Sequence, residues 1–355
     1  MSIHASRFSS RSPNHREPHR HQPKFLVKLA KLLLIIVIAL GVVQGLRLTL
    51  LLVSPLPNIP NEPSYPISTK TYNRTNLLLV SFKGSVLTYL AVLSINSNEN
   101  PQLLPLDPAT LVNLPGGRGE YRLSEIPAQA RLDNLGPVNL LRDTVSRTLA
   151  IPIDGYLEVD ASDWPAIARE FGAGPADILN NLGSVKFFWE LATLKPWAIN
   201  LHGSISGLTL VNLVLNARSQ NQVNVINLSS AVSTGTTPLG NQAPVIDPAT
   251  FDENFGPLFS EQAIIRARPR VSIVNSSDVT GAGAELSRMV SNLGGDVISV
   301  NSGDLVKKST ITDHLGGSNL SGRLAPLIRA NVTTDHKAGR ADIEIVIGKD
   351  SGTVF

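Results

Sequence analysis

Between Leu32 and Val53 the chain is almost continuously apolar, interrupted only by Gln44, Arg47, Thr49 and glycines. A helix crossing the hydrocarbon core of a bilayer takes about 20 such residues. This run supplies that length, so a transmembrane helix is expected over residues 29–53. Arg7, Arg11, Arg16, Arg20, Lys24, Lys28 and Lys31 stand against Glu17 alone on its N-terminal side. That bias places residues 1–28 in the cytoplasm, as a disordered basic tail, and the bulk of the chain outside the membrane. No small-residue cleavage site follows cleanly, which favours an uncleaved single-pass anchor. Pro55, Pro57, Pro60 and Pro63 then predict a stiff extended stalk over residues 54–72.

The formal charge of +3 over 355 residues belongs to that tail, and the remainder is slightly acidic. No basic domain reads as a nucleic-acid binder. His4, His15, His19 and His21 are irregularly spaced and read as part of a solvated tail rather than a metal tract. The chain has no cysteine, which excludes disulfides, a thiolate nucleophile and Cys-ligated zinc.

Beyond the stalk, Asn76–Phe82 and Leu87–Ile95 are runs of Leu, Val and aromatics separated by Lys83-Gly84-Ser85. They predict two buried strands with a turn at Gly84, and a third strand starts at Gln102. Val138, Leu141, Val145 and Leu149 fall on one face of a helix, with Arg142, Asp143 and Arg147 turned to solvent. Gly155–Val159 reads as a strand. Asp163 before Trp164-Pro165 is a helix start, with Gly172 as its stop. Helices follow near Pro175–Asn181, Lys186–Leu194 and Leu208–Ala217, then a strand over Val223–Leu228. The expected class is α/β, with a central mixed sheet covered on both faces.

The order NLLLVSF, LAVLSIN, LLPLDPATLVNLPG, GEYRLSEI and LLRDTVSRTLAIPIDGYLEVD resembles the LytR-CpsA-Psr domain, over roughly Asn76–Leu228. Ala150-Ile151-Pro152-Ile153-Asp154-Gly155-Tyr156 is the most specific piece. The resemblance implies a membrane-anchored protein of cell-envelope biogenesis. Such proteins move a glycopolymer from a polyprenyl-pyrophosphate carrier to peptidoglycan, with Mg²⁺, arginines, carboxylates and an apolar tunnel for the lipid. A leaving pyrophosphate calls for clustered cations and a magnesium ion held by one or two carboxylates.

This chain departs from the pattern at several points. Val80-Ser81-Phe82-Lys83-Gly84-Ser85 stands where the family carries an Asp- and Arg-bearing loop. The family's Pro-Arg-Asp is Pro105-Leu106-Asp107 here, and the later Arg-x-Arg clamp has no counterpart, with only Arg218 and Lys195 in its neighbourhood. What the resemblance implies for the site is therefore Asp107 as a catalytic and Mg²⁺-binding carboxylate, Arg122 as a catalytic cation, and Arg118 and Arg131 as substrate-binding cations. The plain alternatives are a turn-former at Asp107 before Pro108 and surface charges at the arginines. Asp154 reads as a turn-fixing residue, and Arg142 and Arg147 as a solvated helix face. His202 reads as a structural histidine.

Ser233–Pro248 is rich in Gly, Pro and Thr and reads as the start of a linker over residues 233–269, after a domain over residues 73–232. Arg266, Arg268 and Arg270 near its end form a boundary charge cluster. From Val271 a regular pattern returns. Strands are expected over Val271–Asn275, Val297–Val300, Ser309–Ile311 and Ile343–Ile347, and helices over Ala282–Leu293 and Arg323–Ala330. This is a small β-α-β-β-α-β domain over residues 270–355, read as the split βαβ arrangement. Val274-Asn275-Ser276-Ser277 with Gly281, and Val346-Ile347-Gly348-Lys349-Asp350, resemble the LytR C-terminal domain. That resemblance implies a non-catalytic envelope-binding module. Gly281-x-Gly283 lacks the rest of a phosphate loop.

Two readings stay open. One is a glycopolymer transferase with a sparsely charged site. The other is a non-catalytic envelope protein that keeps the fold and binds polyprenyl lipid or wall polymer. The family's older label of transcriptional attenuator finds no DNA-binding domain in the short inner segment.

Overall fold

The chain was analysed as a computed structural model, which describes residues 74–96, 98–171, 177, 202–205, 209, 222–237, 240–336, 339–351 and 354–355. All belong to one compact unit, Leu50–Phe355. The expected tail, anchor and stalk lie outside the described residues, as do the helices expected near residues 175–181, 186–194 and 208–217. Among the described residues no helix is long and apolar enough to cross a membrane.

The first half runs β1 (Arg74–Lys83), β2 (Val86–Asn96), β3 (Glu99–Pro105), β4 (Leu111–Asn113), β5 (Glu120–Arg122), α1 (Ile126–Leu132), α2 (Pro137–Leu149), β6 (Gly155–Asp160), α3 (Trp164–Phe171), β7 (His202–Gly203) and β8 (Asn224–Val225). Six of the strands form a mixed sheet in the order β7-β6-β1-β2-β3-β8. β1 and β2 are antiparallel through the expected turn, with Gly84 at φ 62°, while β6 joins β1 in parallel. One sheet face carries Leu78, Val80, Phe82, Val92 and Leu104, which share a core with Val138, Leu141, Val145 and Leu149 of α2. The expected apolar helix face is therefore the observed one.

The rest of α2 is not solvated, and here the structure corrects the sequence reading. Arg142 is nearly buried and sends Nε and Nη2 to Asp143 Oδ1. Arg147 is tied to Glu285. The reason is that α2 lies between two halves of the fold rather than on one. The Thr148 and Ala150 carbonyls accept from Arg288 and Asn292 of the C-terminal half.

Ser233–Pro248 is likewise not a linker. β9 (Val232–Thr236) and β10 (Gln242–Ile246) form an antiparallel hairpin, and Val245 pairs in parallel with Leu111 of β4. The result is a second sheet ordered β5-β4-β10-β9. α4 (Pro248–Asn254) follows, its first turn capped by Asp247 Oδ2 on the Thr250 N–H. α5 (Gln262–Ala267) comes next. Phe251 and Phe259 enter the first core, so apolar burial holds this segment in place despite its loop-like composition.

The C-terminal half contains β11 (Arg270–Asn275), α6 (Ala282–Leu293), β12 (Asp296–Ser302), β13 (Thr310–Asp313), α7 (Asn319–Leu327), β14 (Asn331–Thr334) and β15 (Ile343–Ile347). Its sheet order is β12-β11-β15-β13-β14. The expected split βαβ is corrected. β11 and β12 are adjacent and parallel, as are β13 and β14, so each β-α-β unit is unsplit. β15 lies between the units, parallel to β11 and antiparallel to β13. Val271, Ile273, Ile311, Ile343, Ile345 and Ile347 pack with Leu286, Met289, Val290, Leu320 and Leu324 as a second core.

Candidate functional site

Asp107 stands where the chain leaves β3. The Leu106 N–H donates to the Leu90 carbonyl, which fixes this end of the sheet beside β2. Asp107 then forms a tight turn: its Oδ1 accepts the Ala109 N–H at 2.8 Å and its carbonyl accepts Thr110 N–H. The turn leads into β4, and β4 pairs with β5 so that Leu111 faces Arg122. Ser124 N–H donates to Pro108 O and Leu123 N–H to Thr110 O. Backbone bonding therefore brings Asp107 and Arg122 together at the base of one hairpin. Arg122 makes no ion pair among the described residues. Its N–H is taken by Glu125.

Arg118 and Arg131 belong elsewhere. Arg118 sits on the hairpin tip, about 10 Å along strands three residues long, in a loop whose Gly116, Gly117 and Gly119 all have positive φ. Its Nη1 donates to Pro115 O at 2.7 Å and its Nε lies 3.4 Å from Asp133. Arg131 is exposed in the last turn of α1, just before Asp133. Of the four candidates, Asp107 and Arg122 thus share the hairpin base, Arg118 lies at its tip against Asp133, and Arg131 stands two residues before Asp133 at the end of α1.

Asp154 does more than shape its turn. Its Oδ2 accepts the Asn76 N–H at 2.7 Å, seating β6 against β1, while its Oδ1 meets Arg323 of α7. His202 pairs across to Glu158 in the β6–β7 ladder. Of the boundary arginines, Arg270 forks onto Asp342 and Arg268 faces Asp296 at 3.7 Å, while Arg266 is exposed. Arg218 lies outside the described residues.

The second face of the first sheet contains a feature that sequence reasoning missed. Strand register puts Leu77, Leu79, Ala91, Leu93, Leu103 and Leu157 on it together, and all but Leu79 are buried. Near the Asp107 end of this apolar wall lies Tyr89, paired with Ser81 across a bulge that Thr88 creates. The Tyr89 ring lies 6.1 Å from that of Trp164. Its hydroxyl is buried and has no hydrogen-bond partner among the described residues, and burial pushes its pKa up to about 12. The available signal was the strand alternation, in which Tyr89 follows Leu93 and Ala91 on one face and ends it with a polar tip.

No family model and no curated protein matches the chain. Solved structures do. B. subtilis TagT is 16% identical, over 55% of this chain and 95% of TagT, with a TM-score of 0.39. A LytR-CPS2A-psr family protein, YwtF (TagT), with bound octaprenyl pyrophosphate lipid, is 15% identical over 55% of this chain and 95% of its own, at a TM-score of 0.38. B. subtilis TagV is 13% identical over 52% of this chain and 95% of its own, at 0.41. The chain is similar to solved LytR-CPS2A-psr proteins. At these identities no residue's role passes from them to this chain.

Proposed function

We propose that this chain is a membrane-anchored, extracytoplasmic envelope protein that binds a polyprenyl-pyrophosphate-linked glycopolymer beside peptidoglycan. In this reading the lipid tail takes the apolar sheet face and the phosphates take the Asp107–Arg122 end. The observation that carries it is that face: a buried wall of leucines ending in a tyrosine hydroxyl without a partner among the described residues. A buried hydroxyl without a partner costs about 1–3 kcal/mol, and an acceptor on an amphiphile's head would satisfy it. The ligand class rests on the sequence resemblance over Asn76–Leu228.

Turnover is the second reading, favoured by Asp107 and Arg122 sharing one hairpin base. Mg²⁺ usually takes one or two carboxylates and completes its shell with water and substrate phosphates; among the described residues no three His, Asp or Glu side chains converge on one point. Asp107 has already committed one oxygen to its turn. What Asp107 fits is the lesser role of one carboxylate toward an ion that arrives with pyrophosphate, where the ion would offset charge on the leaving group. Arg122 would act by charge alone, as a cation beside the phosphates.

Full-length protein in detergent, incubated with a polyprenyl-pyrophosphate analogue and Mg²⁺, tests both readings. Saturable binding with the linkage between carrier and glycopolymer left intact supports the binding protein. Turnover lost in Asp107→Ala supports the transferase. Absence of binding overturns both.

A further inference from the structure

We propose that the C-terminal half holds the Pro115–Gly119 loop in position, with Arg147 as the positioning residue that connects them. This inference goes beyond the ligand reading and replaces the expectation of an independent C-terminal module. From within, the loop is held by the Leu114 N–H on Gly119 O and by Arg118 on Pro115 O. It joins two three-residue strands, and β4 meets β10 at a single ladder pair, Val245 with Leu111. Three of its glycines have left-handed backbone, which leaves the unfolded loop many conformations to lose.

Beyond the hairpin the loop is tied to Asp133 through Arg118 and by two further contacts. Arg147 Nη1 donates to the Leu114 carbonyl at 3.1 Å. The Gly116 N–H donates to the Phe355 carbonyl at 2.6 Å. Both lead to the C-terminal half. The other two arms of Arg147 fork onto Glu285 in the first turn of α6, Nε to Oε2 at 2.6 Å and Nη2 to Oε1 at 2.7 Å. Such a two-point guanidinium–carboxylate pair is strong and directional. Both side chains are mostly buried, so salt screens the pair less than it would a surface contact. With all three nitrogens committed, Arg147 cannot turn away from Leu114 without losing Glu285. Phe355 is anchored in its own right, buried with Val354 in the second core.

The position of the loop that carries Arg118 therefore depends in part on α6 and on Phe355. By linkage, anything that fastens the loop must also stabilise the C-terminal half.

Hydrogen exchange on the full chain tests this. In Glu285→Gln and in Arg147→Lys, the amides of Gly116–Glu120 should exchange about tenfold faster, the loss of roughly one charge-assisted hydrogen bond. The amides of Arg74–Lys83 and Val271–Asn275 should keep their protection. Arg270→Gln, which breaks a C-terminal ion pair far from the loop, should leave loop exchange unchanged. The charge swap Arg147→Glu with Glu285→Arg separates positioning from general stability. It restores the tie between the halves and the melting temperature, but Glu has no donor for Leu114 O, so the loop stays fast. Wild-type loop protection in both single variants overturns the proposal, as does full recovery of protection by the swap. Should Glu285→Gln fail to fold, Arg147→Lys, which keeps the charge facing Glu285, decides alone.

Discussion

Tyr89 and Arg268 each carry a local cost, of different kinds. The Tyr89 hydroxyl is buried without a partner among the described residues, so Tyr89→Phe removes a desolvated polar group and keeps the ring against Trp164. Replacing an unpaired polar group by its apolar equivalent is neutral or favourable. The variant should gain about 1 kcal/mol in urea unfolding, with an unchanged dependence on denaturant, and should bind a polyprenyl-phosphate probe several-fold more weakly. Weaker binding with greater stability is the pattern expected of a ligand-facing hydroxyl, and a structural hydroxyl would show the reverse in stability. Arg268 ends α5 with φ 40°, a left-handed conformation that glycine adopts without a Cβ clash. Its pairing with Asp296 is long and largely exposed, hence worth little. Arg268→Gly should raise stability by about 0.5 kcal/mol, the relief of backbone strain less the entropy that glycine returns to the unfolded chain. Thermal and urea melts of the pair would read it.

Among elements, α7 depends on one carboxylate. Asp313, fully buried at the end of β13, accepts from the Ser318 and Leu315 N–H groups and from the Ser321 hydroxyl. Burial pushes its pKa up, but the bonds from Ser321, Ser318 and Leu315 together outweigh that and hold it below the ordinary aspartate value. A carboxylate lowered in the folded state contributes stability that is complete above its unfolded pKa, about 3.9, and is lost as pH falls through the folded value. Stability should therefore drop below about pH 4, and Asp313→Asn should remove that component of the acid dependence. Asp313→Ala should cost about 3 kcal/mol by leaving buried donors unpaired. Elements with strong periodicity, such as β1, β2, α6 and β15, were legible in the sequence because their own residues decide them. β9 and β10 were not, since Gly, Thr and Pro look like a linker until Val245 meets Leu111, more than a hundred residues away. β14 is exposed throughout and has no apolar alternation to betray it. The site was legible in part. Asp107, Arg118, Arg122 and Arg131 stood out as charges in one stretch, but nothing local indicates that Arg118 turns to Asp133 while Asp107 stays with Arg122. Tyr89 looked like one more strand aromatic, because its unpartnered state is a property of its neighbours.

At the level of the whole unit, buried charges rather than a flexible linker join the two halves. Arg323 of α7, almost wholly buried, contacts Asp154 at the head of β6 and Glu261 ahead of α5. Nearby, Arg74 of β1 reaches the Ser260 carbonyl, the Ser94 hydroxyl and Glu99. Arg288 forks onto Asp252, to which Asn292 also donates. Burial pushes Glu261 above the usual carboxylate range and Arg323 offsets only part of that, so the carboxylate depends on its guanidinium for what charge it keeps. Removing one partner of a buried pair leaves an uncompensated charge and costs about 3–5 kcal/mol, whereas replacing the pair by apolar groups of similar volume is often neutral. Arg323→Met should therefore destabilise the protein by about that amount. Adding Glu261→Leu should recover much of the loss, though not all, because Asp154 still lacks its partner. Residues within one network are not additive, and the double-mutant cycle in urea should give a coupling of more than about 1 kcal/mol. Wild type should melt in a single transition seen equally by tryptophan fluorescence and by backbone circular dichroism. In Arg323→Met the C-terminal half should loosen first and separate the two curves. Coincident curves in the variant, or a coupling near zero, would mean that the apolar contacts of Phe251, Phe259 and Ala150 hold the halves together and the charges only fill their seam.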